Sequence, residues 1–256
     1  MSHYYKSTPS GVKLLEKVTT PAQARKHGSA YPSVTTLLKY LPNDYINEIW
    51  KPQKLVEFAR EFPDLDVEAI RDKLWGEREC PETGETISSS DFGTRAHARL
   101  EAHILAWIDG GAIERHHPYD GVISPTLNYL ELNGFTPLAA ERMLLCEKLK
   151  TAGMLDYVGL KDGKVVLLDW KFRDCADGNG KFYENKDLPQ LAIEAQMIME
   201  QDELDYMPEI YSVCIDANTG TPHVKQWSHK MRTKGLQYFM AARNFYYDCP
   251  GLGYEA

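Results

Sequence analysis

The stretch Gly153 to Lys171, GMLDYVGLKDGKVVLLDWK, constrains this chain more than any other. Asp162-Gly163 accepts the positive φ angles of a two-residue type I′ turn, and it lies between runs rich in Val and Leu, so the segment predicts a β-hairpin. Register follows from the turn. If Lys161 faces Lys164, Leu160 faces Val165, Val158 faces Leu167, and Asp156 stands directly opposite Asp169. Cross-strand neighbours have Cβ atoms roughly 5 Å apart. Side chains alternate along a strand, so Lys171 shares the face of Asp169, while Val166, Leu168 and Trp170 point the other way into a core.

Two opposed carboxylates repel, and both stay ionised only where something offsets that repulsion. A divalent cation does so. Mg²⁺ sits on one or two carboxylates, keeps several waters and completes its shell with phosphate oxygens, and a neighbouring lysine can stabilise charge developing on a phosphate. The plainer reading makes Asp156 and Asp169 solvated surface residues with Lys171 pairing one of them.

Composition narrows the classes. A chain of 256 residues has room for one large domain or two small ones. No apolar run is long enough for a membrane span, and the first residues, MSHYYKSTPSGVKLLEKV, have no secretory apolar region, which predicts a soluble, intracellular protein. The five cysteines are scattered without a C-x-x-C pair, as suits free thiols and gives zinc-ribbon and iron–sulfur readings no support. With 29 Lys plus Arg against 37 Asp plus Glu, the net charge of -8 has the wrong sign for a broad nucleic-acid-binding surface, so any such binding needs a local basic groove or metal ions.

Residues 1–30 read as an irregular or partly extended arm. Ser33 is placed to cap a short helix through Tyr40. Helical spacings recur between Ile46 and Trp75, broken near Phe62-Pro63, and Cys80 to Glu85 is a polar loop. Ser90 or Asp91 can cap a helix over Gly93 to Trp107, with Ala96, Leu100 and Trp107 as its apolar stripe. His97 and Glu101 lie four apart beside that stripe, and His97 is either a boundary residue or part of a site that Gly93 and Ala96 leave open to close approach. His116-His117-Pro118-Tyr119-Asp120 lacks zinc-site spacing and reads as a surface loop. Ser124 to Leu132 is helical, closed by Asn133-Gly134.

Thr136 to Lys148 fits either a strand or a continuing helix. As a strand it would bring Glu141 near the aspartates; otherwise Glu141 is a solvated charge. The loop FRDCADGNGKFYENKD is long enough to be functional, and its Arg173, Lys181 and Lys186 suit backbone phosphates. A helix follows over Leu188 to Met199 with Gln190 and Glu194 on one face, then a strand from Glu209 to Asp216, its hairpin partner from His223 to Trp227, and a final helix from Ser228 to about Tyr247.

Gly93-Thr94-x-x-His97, Glu141, Ala152-Gly153-x-x-Asp156, Asp169-Trp170-Lys171 and Gln190-Leu191-Ala192 together resemble the ordered motifs of the RecB-like branch of the PD-(D/E)xK nuclease superfamily. Tyr31-Pro32-Ser33-Val34-Thr35 resembles the segment that opens many members, and the likeness is nearest to phage-type exonucleases and the mitochondrial genome maintenance exonuclease. The resemblance implies a single domain over 1–256, of α/β class, with a restriction-endonuclease-like core: a mixed central β-sheet flanked by α-helices. It implies His97, Asp156, Asp169 and the Trp170 carbonyl as ligands of Mg²⁺ or Mn²⁺, Lys171 acting on the nucleophilic water, and Glu141 supporting the metal. Gln190, Thr94 and Arg173 would support the site or contact DNA. The implied activity is metal-dependent DNA exonuclease, in phage or bacterial recombination or repair. A structure-selective endonuclease and a catalytically silent DNA-binding scaffold are the alternatives. Implied partners are DNA, single-stranded or with free ends, and a phage single-strand annealing protein, with no membrane, in the cytoplasm of a bacterial or phage-infected cell. Two departures stand out. Glu194 occupies the place of a tyrosine common in the family, and the four-cysteine iron–sulfur pattern of some members is missing, which implies no cluster.

Overall fold

The computed structural model describes residues 2–41, 51–66, 70, 76–111, 113, 116–175 and 177–248. Expectations on Ile46 to Trp50 and on Leu74 and Trp75 lie outside these residues.

Residues expected as an irregular arm form strands β1 (Tyr4–Thr8) and β2 (Gly11–Leu14) and helix α1 (Pro21–His27), and with β3 (Tyr31–Pro32) they make a sheet of order β2-β1-β3. Its strands are too short for alternation to register in sequence, yet Tyr4 and Tyr5 are buried. Helix α2 (Val34–Leu38) begins at Ser33, whose hydroxyl accepts from the Thr36 N–H at 3.0 Å as expected of a cap. Helix α3 (Lys51–Glu61) follows, then a hairpin of β4 (Glu77–Glu79) and β5 (Thr86–Ser88) whose turn is the Cys80 loop. Helix α4 runs over Ser89–Ile108, capped by Ser88 rather than by Ser90 or Asp91. Helix α5 spans Asp120–Leu132.

Thr136 to Cys146 is a strand, β6, which settles the segment left open by its sequence. It is followed by β7 (Thr151–Lys161), β8 (Lys164–Arg173), helix α6 (Asp187–Gln201), β9 (Glu209–Asp216), β10 (Pro222–Gln226) and helix α7 (His229–Asp248). The five strands form one mixed sheet of order β10-β9-β8-β7-β6. Only β8 and β9 are parallel, because the connection between them is long enough to hold a crossover helix, α6, whereas short turns force the other pairs antiparallel. Asp162 and Gly163 both take positive φ, 50° and 75°, as a type I′ turn requires, and the predicted pairs Lys161 with Lys164 through Val158 with Leu167 are all formed.

Helices cover both faces. Val166, Leu168 and Trp170 pack with Leu100, Ile104, Ile123 and Leu130 of α4 and α5, and Leu167, Val158 and Ile210 pack with Leu37, Leu191, Ile198 and Phe239 of α2, α6 and α7. The alternation of β8 into these two layers is what sends Asp169 and Lys171 away from Trp170.

The segment read as a surface loop at His116 to Asp120 is more than that, since Tyr119 is fully buried and Asp120 opens α5. Asp120 accepts from Arg99 Nε at 2.7 Å and Nη2 at 3.0 Å, from His103 Nε2 at 3.3 Å and from the His117 N–H at 3.0 Å, tying α4 to α5. Burial works to raise its carboxyl, but the Arg99, His117 and His103 hydrogen bonds outweigh this and hold it down at about 2. A depressed carboxylate stabilises the fold fully above its ordinary value of 3.8 and progressively less as pH falls toward 2. Replacing Asp120 with Asn is expected to cost about 2 kcal/mol in urea denaturation near neutral pH, with the gap from wild type shrinking below about pH 4. Equal denaturation midpoints near neutrality would show that the pair holds nothing together.

Candidate metal centre at the splayed strands

The predicted register does not reach the aspartates. The ladder between β7 and β8 ends at Tyr157 with Leu168, one pair short of Asp156 with Asp169. On the other side of β7, Ala140 pairs with Tyr157 and Arg142 with Leu155, but Glu141 and Asp156 between them are unpaired. Asp156 is thus absent from both registers that flank it. Glu141 takes a φ of 48°, a left-handed conformation that costs a side-chain-bearing residue strain. The face of β7 changes at the same point: Leu155 and Val158, three apart, share one core layer while Tyr157 lies in the other. In place of a main-chain carbonyl, the Asp156 carboxylate takes the Trp170 N–H at 3.0 Å. Strand β8 meanwhile stays paired with β9 through Arg173, so β7 and β8 part while the rest of the sheet continues.

The N-terminal half of α4 lies against this opening. His97 Nε2 is 2.9 Å from the Trp170 carbonyl oxygen, and a neutral imidazole in that contact donates from Nε2 and leaves the lone pair on Nδ1. Burial is the main influence depressing the His97 pKa, with Lys171 adding to it against Asp156 and the Trp170 carbonyl, so the ring is neutral near neutral pH. One ligand atom each from His97, Glu141 and Asp156 falls within 4.8 Å of the others. They line an open cavity of about 510 Å³ together with Gly93, Thr94, Glu101, Met154 and Lys171.

Asp169 has a different place from the one expected of it. It is 2% exposed, its Oδ1 is ion-paired with the Lys171 ammonium, and its Oδ2 is buried with no hydrogen-bond partner among the described residues. Burial foremost, then the Asp156 charge, raises its pKa in spite of Lys171. Burial also works against the charged form of Lys171, yet Asp169 and Asp156 together hold that ammonium well above its ordinary range. The Trp170 carbonyl accepts from both His97 and, at 3.4 Å, Lys171. Sequence geometry made the two aspartates neighbours across a ladder; the fold instead gathers Asp156 with Glu141 and His97, and Asp169 with Lys171.

Behind this pair lies Glu194, also 2% exposed, its pKa raised well above the ordinary value by burial first and then by Asp169 and Asp156. Gln190, expected to support the site or contact DNA, donates from Nε2 to Glu194 Oε1 at 3.4 Å. A Cβ at Gly153 would stand 3.3 Å from Glu194 Oε1, so the glycine lets the acid lie against β7. Arg173, expected to meet phosphate, is instead bonded to both oxygens of buried Asp187, at 2.9 and 2.7 Å, and to the Lys181 carbonyl. Thr94 lines the cavity with its hydroxyl donated to the Ser90 carbonyl at 3.0 Å.

Two participants went unassigned by sequence. Glu101 lines the cavity and opposes ionisation of Glu141; its signal was the four-residue spacing from His97. Tyr5 of β1 has its hydroxyl pushed up to about 12 by burial, then by Glu141 and Glu194, and nothing local in the sequence connects it with them.

The donor set fits a metal cation. One imidazole and two carboxylates within 4.8 Å of one another are a set that could hold a divalent metal ion, and positive charge there would offset the repulsion among the acids. Glu141 is pushed up to about 7 by burial, then by Asp156 and Glu101, with Lys171 only partly offsetting them. The chain has no helix among the described residues long and apolar enough to cross a membrane.

No protein-family model matches this chain, and no curated protein matches it in sequence. Among solved structures, it is similar to the crystal structure of a "Putative exonuclease" from Eubacterium rectale, with a TM-score of 0.37 and 8% identity over 80% of this chain and 86% of that chain.

A carboxyl raised from 4.5 to about 7 keeps its proton longer folded than unfolded, so stability falls as pH rises through that window and levels off above it. Metal-free protein is expected to melt at lower temperature as pH rises through this range, more shallowly in the Glu141→Gln variant, and saturating Mn²⁺ should raise the melting temperature most at the upper end. A Glu141→Gln profile as steep as wild type would place the origin of the slope elsewhere.

Proposed function

We propose that this chain is a metal-dependent deoxyribonuclease, a DNA exonuclease of the RecB-like branch of the PD-(D/E)xK superfamily with a restriction-endonuclease-like core. The observation that supports it most is the convergence of His97, Glu141 and Asp156 beside the Lys171 ammonium, in one cavity, where β7 and β8 part. These three side chains are the ones that would hold Mg²⁺ or Mn²⁺. The cation supplies Lewis acidity toward a phosphodiester and makes water a competent nucleophile at neutral pH.

The chain's own groups do the rest. Lys171, kept protonated by Asp169 and Asp156, presents a fixed positive charge to the cavity, where a phosphorus centre gains negative charge on the way to the transition state. Asp169 aims that ammonium from behind, through Oδ1. Neutral His97 keeps a nitrogen lone pair for ligation, and Glu141, whose carboxyl is pushed up to about 7 by burial and its acidic neighbours, would release its proton to water when a cation is held beside it. DNA with free ends or single-stranded segments is the partner this reading implies. A role in phage or bacterial recombination beside an annealing protein, in the cytoplasm, follows from the motif resemblance.

Lys171→Ala is expected to lose several orders of magnitude in cleavage rate, about 3 to 5 kcal/mol of transition-state stabilisation, while calorimetric Mn²⁺ binding survives. Lys171→Arg should recover little, because a planar guanidinium cannot reproduce a point charge at Nζ. End-labelled linear DNA should be degraded and closed circular DNA spared, in Mg²⁺ and not in EDTA. Cleavage of the circle would favour the endonuclease alternative, and near wild-type cutting by Lys171→Ala would remove the site from this cavity.

A further inference from the structure

Behind the proposed catalytic strand lies a pair of thiols that the chemistry above does not use. Cys214 of β9 is the direct neighbour of Lys171 in the parallel pairing of β8 with β9. Cys175 follows the end of β8. The two sulfurs are 3.6 Å apart, and their residues are 1% and 3% exposed. The Lys181 N–H donates to Cys214 Sγ at 3.4 Å, and the Cys175 thiol points to the Arg173 carbonyl at 3.9 Å, so the segment from Asp177 to Lys186 is laid over this pair. The same segment is held at its far end by Asp187, which accepts from Arg173 and from the Tyr183 N–H at 2.9 Å. A disulfide needs the sulfurs at about 2.05 Å, a closure of about 1.5 Å from their present contact.

We propose that Cys175 and Cys214 form a reversible disulfide, a redox-modification site that fastens residues 177–186 to β9 beside Lys171. The oxidant is a low-molecular-weight disulfide. The Cys175 thiolate attacks one of its sulfurs, expelling one thiol and forming a mixed disulfide; the Cys214 thiolate then attacks the Cys175 sulfur and expels the second. Two protein thiols are oxidised and the small disulfide is reduced to two thiols. Burial, reinforced by the Cys214 sulfur, pushes the Cys175 thiol up to about 11, so the closed pair resists reaction. Reaction begins when Cys175, at the margin of the exposed segment, swings outward, and the finished bond prevents that opening.

The experiment uses the full chain in oxidised glutathione and, separately, in dithiothreitol. Non-reducing peptide mapping by mass spectrometry should find the Cys175 peptide joined to the Cys214 peptide in the first buffer and free in the second, with Cys80, Cys146 and Cys249 alkylatable in both after denaturation. Amide hydrogen exchange over residues 177–186 should be several-fold slower in the oxidised form, and that difference should vanish in Cys175→Ala. Linkage to other cysteines, no linkage, or linkage with unchanged exchange would each overturn the proposal. The mapping is made on the wild-type chain, so it decides even if the variant folds poorly, and neither readout depends on nuclease activity.

Discussion

One hydrogen bond sets the layout of the site: the Trp170 N–H given to the Asp156 carboxylate at 3.0 Å. In an uninterrupted antiparallel pair a main-chain carbonyl would take that proton, and β7 and β8 would stay in contact to the end. With a side chain taking it, the strands part without leaving the buried amide unsatisfied, and the gap admits donor atoms from α4 and β6. Glu141 answers from the opposite side of β7 with a left-handed φ, so the interruption passes across two ladders at one level of the sheet. A hole in a sheet is costly unless its polar groups are satisfied, and here the satisfying groups are the ones that suit a cation.

Charge organises what surrounds the gap. Asp156, Asp169, Glu141 and Glu194 crowd around a single ammonium, that of Lys171, and the consequences run in opposite directions: three of the carboxyls are pushed up while the ammonium is held protonated. An apolar replacement for Lys171 would strand Asp169 in the core with neither oxygen matched, since Oδ2 has no hydrogen-bond partner among the described residues. The pair therefore acts as a unit, Asp169 fixing the place of the ammonium and the ammonium partly offsetting the burial that raises Asp169. A divalent cation among His97, Glu141 and Asp156 would relieve the remaining repulsion, which is why the arrangement reads as a binding site and not as a scattering of surface acids.

The frame around the site is ordinary α/β construction with one consequence of its own. Because β8 is paired to β9 in parallel, its C-terminal end cannot turn directly back, and the chain must travel through residues 174–186 to reach α6. That path brings Cys175 over Cys214 and fixes Arg173 against Asp187, so the connection is packed and bonded instead of loose. The N-terminal sheet closes the other side, with Tyr5 buried near Glu141 and Glu194.

Local chemistry was legible in the residues themselves. The Asp162-Gly163 turn fixed the hairpin and five of its pairs, Ser33 announced a cap, and the crossover helix and the final hairpin could be read from periodicity and turn residues, because each depends on neighbours a few positions away. Asp156 and Lys171 were candidates on the hairpin's own alternation, whereas His97 and Glu141 were left open by the residues and named through the motif resemblance. What tertiary structure alone decided was how they divide. Counting along a regular ladder set Asp156 against Asp169, but the positive φ of Glu141 and the loss of pairing at Asp156 arise from contacts among β6, β7, β8 and α4 that no local pattern encodes. Burial is equally non-local: Asp169 and Glu194 are acids in a core, Arg173 is bonded to internal partners, and Tyr5 of the N-terminal sheet is buried near Glu141 and Glu194, because elements distant in sequence pack against them.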